Sequence, residues 1–238
     1  MSNLILVRHG QSEWNAKNKF TGWVDAVLSE KGKQEARKSG FFIKELDISL
    51  NFVFTSLLQR AKKTAEIICT FINKENLCLE EAWELNERHY GSLTGLNKEE
   101  TKQKVGEKLF NKYRRSWETA PPEIELDSNF LQAFSKSNYR IPSGSIPLTE
   151  SLKDTYNRVI PYFEKKILPL LKQNQNVLVV AHGNSLRALC KKLIKIDNTK
   201  INNLEIPTGN PLFIIFNEDF TINSAKYLDQ DRNKNIFV

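Results

Sequence analysis

The sequence predicts an α/β protein, a three-layer α/β/α sandwich around a mostly parallel central sheet. Three observations carry that prediction. Short apolar runs recur at residues 4–7, 51–55 and 176–181, the pattern of strands buried on both faces of a parallel sheet. Longer stretches with apolar residues at helical spacing separate them, and strands alternating with helices build a layered domain. The chain has 238 residues, a length that suits one compact domain spanning 1–238.

Each element has its own signal. The run Leu4–Val7 reads as the first strand, followed by a polar, glycine-containing loop from Arg8 to Gly22. Ser29 stands as N-cap before a charged, helix-favouring stretch from Glu30 to Leu46. Residues 51–55 form a second strand. Leu57, Ala61, Thr64, Ala65, Ile68 and Ile72 then recur at helical spacing, with Arg60 in the first turn. Val105, Leu109, Tyr113 and Trp117 stand four apart and predict one amphipathic helix. The prolines at 121, 122, 142 and 147 mark a loop-rich excursion at about 118–147. Leu148-Thr149-Glu150-Ser151 opens a long helix that Pro161 and Pro169 should kink or break. A third strand at 176–181, a helix over Asn184–Ile194 and a strand pair, Pro211–Phe216 with Ser224–Leu228, complete the domain before a tail at about 229–238.

Composition excludes several classes. Hydrophobic residues at 40% and charged residues at 26% rule out collagen-like and disordered chains. Three widely spaced cysteines make neither a disulfide framework nor the C-x-x-C spacing of a zinc site. No apolar run approaches the roughly 20 residues that span a bilayer, and Arg8-His9 interrupts the first one before a signal-peptide core develops. The expectation is a cytoplasmic protein in a reducing compartment, without membrane association. A net charge of +7 points to an anionic partner: nucleic acid, an acidic surface or a small phosphate ester.

Two of the three histidines share one local grammar. Arg8-His9-Gly10 follows the first strand, and His182-Gly183-Asn184 follows the strand ending at Ala181. Side chains at the carboxyl ends of parallel strands converge on one sheet edge, where α/β enzymes bind ligands. Either histidine alone is as well explained by a structural role; the pair is not. Arg60 falls just past the second strand, near the same edge as Arg8. Two guanidinium groups and two imidazoles around one point form a site for a tetrahedral dianion such as a phosphoryl group. A neutral imidazole nitrogen is a competent nucleophile toward phosphorus, and arginines stabilise charge on the transferring oxygens. Asn15, Asn184 and neighbouring hydroxyl groups add donors, and the glycines let an anion approach the backbone. Zinc is the competing use of two histidines, but partner carboxylates or thiolates at a recognised spacing are missing from the sequence.

The blocks Arg8-His9-Gly10-Gln11-Ser12-Glu13-Trp14-Asn15, Phe20-Thr21-Gly22-Trp23, Thr55-Ser56 with Arg60-Ala61, Glu87-Arg88-His89-Tyr90-Gly91, Arg114-Arg115, Glu150-Ser151-Leu152, Ala181-His182-Gly183-Asn184-Ser185 and Ile206-Pro207-Thr208-Gly209 closely resemble the cofactor-dependent phosphoglycerate mutases. The resemblance runs in order along nearly the whole chain. Arg-His-Gly alone indicates the wider histidine phosphatase superfamily; the Glu-Arg-His-Tyr-Gly block and the arginine pair point to the mutase branch.

The resemblance implies a phosphoglycerate mutase-like fold and an interconversion of 3-phosphoglycerate and 2-phosphoglycerate. It implies His9 as the nucleophile that becomes phosphohistidine, Glu87 as acid/base, and His182, Arg8, Arg60 and Asn15 as stabilisers of the phosphoryl in flight. Thr21, Gly22, Arg88, Tyr90, Lys98, Arg114, Arg115, Gly183 and Asn184 would hold the substrate's carboxylate and second phosphate. It further implies 2,3-bisphosphoglycerate as the priming cofactor, no metal, and a homodimer. His89 matches the family block, and a structural role is expected for it. The segment from Glu118 to Ile146 is read as shorter than the family's excursion, which bears on subunit contacts and the pocket rim. Six of the basic residues thereby fall to one anion pocket.

Two readings compete with this one. A phosphatase of the same superfamily would share His9 and pass its phosphoryl to water. A nucleic-acid-binding protein would use the positive charge alone, but the lysine pairs at 62–63, 165–166 and 191–192 lie in predicted helices, where they read as solvated faces.

Overall fold

The computed structural model describes residues 2–132, 141–142 and 144–232. Six strands form one sheet in the order β3-β2-β4-β1-β5-β6. They are β1 (Asn3–Arg8), β2 (Phe52–Thr55), β3 (Leu79–Glu81), β4 (Val177–Ala181), β5 (Leu212–Phe216) and β6 (Ile222–Tyr227). The first four run parallel, while β5 and β6 close one edge antiparallel. The short edge strand β3 was not among the expected elements. Its sequence, Leu79-Glu80-Glu81, lacks the apolar run that marked the others, because an edge position buries it only partly.

Alternation along the strands explains the three layers. Leu4, Leu6, Val177, Val179 and Ala181 enter a core on one face of the sheet, and Ile5, Val7, Leu178 and Val180 enter a second core on the other. A strand apolar at every position must be covered twice. Helices α2 (Glu30–Lys44) and α3 (Gln59–Phe71) pack together on the second face. Helices α6 (Leu152–Tyr162) and α8 (Gly183–Ile194) cover the first. Ser29 caps α2 by accepting from Gly32 N at 3.1 Å. A short helix α1 (Glu13–Ala16) starts in the loop after β1, with Ser12 and Asn15 forming a reciprocal capping box.

One helix expectation is corrected. The single amphipathic helix from Val105 is instead two, α4 (Lys98–Val105) and α5 (Glu107–Arg115), broken at Gly106 with φ 81°. That left-handed angle suits glycine and cannot continue a helix. The long helix after Ser151, expected to kink or break at Pro161 and Pro169, is divided: α6 gives way to a π turn (Phe163–Ile167) and then to α7 (Leu168–Lys172). Pro169 sits in the first turn of α7, where a missing N–H costs little. Pro161 lies inside α6, two residues before the widened π segment.

The start of the excursion lies against the turn at Gly91, with Ser92 N donating to Pro122 O at 2.9 Å. Residues 133–140 and 143, the middle of that excursion, lie outside the described residues, as do 233–238 of the tail. The tail's first residues are anchored: Asp229 is buried and exchanges two hydrogen bonds with Asn210. Among the described residues, no helix is long and apolar enough to cross a membrane.

Candidate active site

The sheet brings the two histidines together. Arg8 pairs with Ala181 in the β1–β4 ladder, and His9 N continues it by donating to Ala181 O at 3.0 Å. His9 and His182 therefore leave adjacent parallel strands at the same level, and their rings meet edge-on with centroids 4.9 Å apart. His9 Nδ1 lies 2.6 Å from Gly10 O. Only a protonated nitrogen can bond a carbonyl, so the proton sits on Nδ1 and Nε2 carries the lone pair. Arg60 Nε donates to that Nε2 at 3.3 Å. Burial, then the positive charges of Arg60 and Arg8, hold the His9 imidazole well below its usual pKa, so it is neutral at neutral pH.

His182 is fully buried, and burial with the nearby Arg60 likewise keeps it neutral. Its Nε2 lies 2.7 Å from Ser56 Oγ, which also accepts from Leu58 N at 3.2 Å. Ser56 had no assigned role in the sequence, although it follows β2 just as His9 and His182 follow their strands.

Arg60 is 1% exposed, and its other two nitrogens donate to Val24 O and Gly22 O at 2.8 Å each. It thus binds the Thr21–Gly22 loop and the nucleophile at once. Burial lowers its pKa to about 10, which leaves it charged. Arg8 donates to Ile206 O at 2.9 Å and also borders the cavity. Gly10 serves a different purpose from the one expected. A Cβ there would fall 2.1 Å from Gly32 O, so α2 packs directly on the loop backbone and the glycine is required by that contact.

Glu87 is buried and makes no side-chain pair with Arg88. Its Oε1 accepts from Arg88 N, Asn184 N and Asn184 Nδ2 at 2.8, 3.1 and 2.9 Å. The Asn184 N–H belongs to the first turn of α8, so the carboxylate also meets the positive end of that helix. Oε1 is held; Oε2 is the oxygen left for chemistry, at 3.7 Å from where a Gly183 Cβ would stand.

Around these groups lies a two-part cavity. An inner space of about 70 Å³ is lined by His9, Arg8, Asn15, Thr21, Gly22, Arg60, Glu87, Tyr90, Lys98 and Arg114, together with Lys19. An outer space of about 350 Å³ shares Arg8, Glu87, Tyr90 and Arg114 and adds Arg115, Gly183 and Asn184. Arg187, Glu205 and Arg232 also border it, and none of them was singled out in the sequence. Arg187 stands one helical turn after Asn184 and holds its Oδ1 at 2.9 Å. Arg114 and Arg115 reach one cavity because α5 ends at Arg115. Arg88 is placed behind the cavity: it stacks under the Tyr90 ring at 4.7 Å and caps the end of α5 through Tyr113 O and Arg114 O. His89 accepts from Gly91 N at 3.0 Å, and burial lowers its pKa to about 4, consistent with a structural residue.

Glu87 is the one carboxylate among the described inner lining residues, against five cationic side chains. Arg8 Nε and Thr21 Oγ1 are buried there without a hydrogen-bond partner among the described residues. Buried donors of this kind fit a multiply charged anion. The arrangement can accept a phosphoryl group on His9 Nε2, with Arg60 and His182 facing its oxygens and a carboxylate placed to move a proton.

Comparison with known proteins gives a consistent picture. The family model of the histidine phosphatase superfamily (branch 1) matches residues 4–132 and 123–221. The chain is 48% identical over 238 residues, covering 100% of both sequences, to a 2,3-bisphosphoglycerate-dependent phosphoglycerate mutase of Pelagibacter ubique (strain HTCC1062). It is 46% identical to a protein of the same name from Buchnera aphidicola subsp. Schizaphis graminum (strain Sg), over 95% of this chain and 97% of the relative. Among solved structures, a mycobacterial glucosyl-3-phosphoglycerate phosphatase superposes with TM-score 0.70 at 19% identity, covering 94% of this chain and 97% of its own. Bacillus stearothermophilus YhfR does so with TM-score 0.68 at 22% identity, covering 94% and 95%. At such identities the likeness concerns the fold alone.

Proposed function

The chain belongs to the histidine phosphatase superfamily, among its 2,3-bisphosphoglycerate-dependent phosphoglycerate mutases, and we propose that it interconverts 3-phosphoglycerate and 2-phosphoglycerate through a phosphohistidine on His9. The observation that carries this reading is the neutral His9, with its Nε2 lone pair free of a proton, in a cationic cavity whose inner carboxylate is Glu87.

The residues divide the work. His9 Nε2 attacks phosphorus, and its Nδ1–H bond to Gly10 O keeps the ring oriented and supports the positive charge that the imidazole gains. Arg60 and Arg8 face the equatorial oxygens, and His182 stands beside them as a further stabiliser. Glu87 Oε2 takes the proton from the attacking substrate hydroxyl and returns it to the leaving one. Arg114, Arg115 and Lys98 hold the substrate's carboxylate and second phosphate, with Asn15, Thr21, Gly22, Tyr90, Gly183 and Asn184 completing the walls. When bound, 2,3-bisphosphoglycerate supplies the phosphoryl group that primes His9. The cationic lining and its buried, unpartnered donors suit so highly charged a group.

Incubation with 3-phosphoglycerate and catalytic 2,3-bisphosphoglycerate tests the reading. The expected product is 2-phosphoglycerate; inorganic phosphate without it would replace the mutase by a phosphatase. The same proposal includes a homodimer working in the cytoplasm, which equilibrium sedimentation and cell fractionation check.

A further inference from the structure

We infer that Arg158, outside the cavity, is a positioning residue that sets the proton-transfer geometry of Glu87; the inference rests on the reading of Glu87 as acid/base. Arg158 lies on α6 and its side chain is 9% exposed. All five of its guanidinium donors are used. Nε and Nη2 grip the Glu150 carboxylate at 2.6 and 2.9 Å, a bidentate pair whose acidic partner is 4% exposed. Nη1 donates to Glu84 O and Asn86 O at 2.6 and 3.0 Å, and Nη2 donates also to Glu87 O at 3.0 Å.

Glu84 O belongs to the 3-10 turn Trp83–Leu85, and Asn86 O and Glu87 O to the irregular stretch between that turn and Gly91. Without strand or helix partners, a buried stretch must satisfy its carbonyls from side chains, and one planar fork does so here. Glu150 closes the clamp from the other side: its Oε2 accepts from His89 N at 2.7 Å, and its own N–H donates to His89 O at 3.0 Å. Trp23 Nε1 also donates to Glu87 O, while Arg158 packs over the Trp23 ring at 5.5 Å. Glu87 is therefore pinned at both ends. Arg158 and Trp23 hold its carbonyl, and Asn184 with Arg88 N holds carboxylate Oε1. Neither Arg158 nor Glu150 lines either part of the cavity.

The clamp matters in one chemical event. As His9 Nε2 forms its bond to phosphorus, the ester P–O bond breaks and its electron pair goes to the leaving oxygen. With an alkyl ester that oxygen needs the proton carried by Glu87 Oε2. With an aryl ester such as 4-nitrophenyl phosphate, the phenolate leaves without one. A displaced Glu87 therefore slows transfer from the alkyl donor and spares the aryl donor, whereas general damage slows both.

Single-turnover phosphorylation of His9 by each donor makes the test. Arg158→Lys keeps a cation for Glu150 but loses the planar fork. It is expected to slow transfer from 2,3-bisphosphoglycerate about 100-fold, the cost of a misplacement of about 1 Å, and to change transfer from 4-nitrophenyl phosphate less than about 3-fold. Glu87→Gln sets the benchmark, with the same selectivity. Should Arg158→Lys fail to fold, Trp23→Phe removes one donor to Glu87 O, keeps the ring and is expected to show the same selectivity at about tenfold. Equal slowing of both donors, or of neither, overturns the inference. A wild-type protein that is phosphorylated on His9 but forms no 2-phosphoglycerate fails the mutase reading alone, because the donor ratio still reports the clamp.

Discussion

Arg60 Nε meets His9 Nε2 at 3.3 Å, so the cation touches the nucleophilic lone pair itself. In the proposed mechanism an incoming phosphoryl oxygen takes over that donor as the new bond forms, while Gly22 O and Val24 O keep the rest of the guanidinium in place. Arg60→Lys supplies the charge but cannot span both carbonyls and the imidazole. His9 phosphorylation is expected to fall roughly 100-fold or more in rapid-quench measurement of acid-labile phosphate, with a smaller change in KM.

The neutral histidines make stability depend on pH. His9, His182 and His89 all have folded pKa values below their unfolded ones, each lowered first by burial. Below about pH 6.5 the unfolded chain therefore binds protons that the folded protein does not. Stability is full above that pH and is lost as pH falls, by about 1.4 kcal/mol per unit for each such imidazole, until its folded pKa is reached. For His89 that limit is about 4. Urea unfolding at pH 7.5, 6 and 5 should show a steady decline, and a flat profile across this range would refute the neutral assignment. Over the same range His9 phosphorylation should not follow a titration near 6.5.

Ser56 offers a narrower test of how His182 is held. Its hydroxyl lies 2.7 Å from His182 Nε2 and ties the ring, which meets His9 edge-on, to the end of β2. Ser56→Ala removes that bond. Transfer to His9 should slow about tenfold, with melting lowered by no more than about 1 kcal/mol equivalent. Unaltered transfer would show that His182 does not depend on this bond.

Much of the site was legible because it depends on local grammar plus one sheet. Two apolar strands ending in His-Gly become neighbours once β1 and β4 pair, and both histidines follow. What stayed hidden depends on contacts between distant elements. Arg88 reads as a cavity cation, yet it turns away to the carbonyls at the end of α5. Arg158 carries no motif of its own; its role exists only because α6 runs past the backbone of residues 84–87. Gly106 splits a helix whose apolar spacing runs straight through the break.

The glycines allow that hidden packing to be weighed. A Cβ on Gly32 would stand 2.0 Å from Gln11 O, and one on Gly10 would stand 2.1 Å from Gly32 O. Two backbones are in contact, so neither neighbour can yield by rotating a side chain. Gly32→Ala should destabilise by about 3 kcal/mol and also reduce His9 phosphorylation, because the displaced loop carries His9. A methyl group on Gly106 would meet nothing within 4 Å, and its cost is the φ of 81° alone. Gly106→Ala should cost about 1 kcal/mol without touching the transfer step. Equal losses in the two variants would refute this account.

The arginine pair should separate by partner. Adjacent helical residues point about 100° apart, and both border the outer cavity only because the helix stops there. Arg114 also lines the inner space beside His9 and Lys98, whereas Arg115 is paired with Glu205. Glu205 is 71% exposed, so solvent weakens that pair, and releasing Arg115 to an anion costs little. Arg114 has no such partner among the described residues, and burial already lowers its pKa, which a bound anion would reverse. Arg114→Gln should raise KM for 3-phosphoglycerate by about tenfold or more, the cost of losing a charge-assisted hydrogen bond. Arg115→Gln should raise it several-fold less, and Glu205→Gln should lower it slightly by freeing Arg115. The reverse order, measured by steady-state kinetics, would place the substrate's charge in the outer cavity instead.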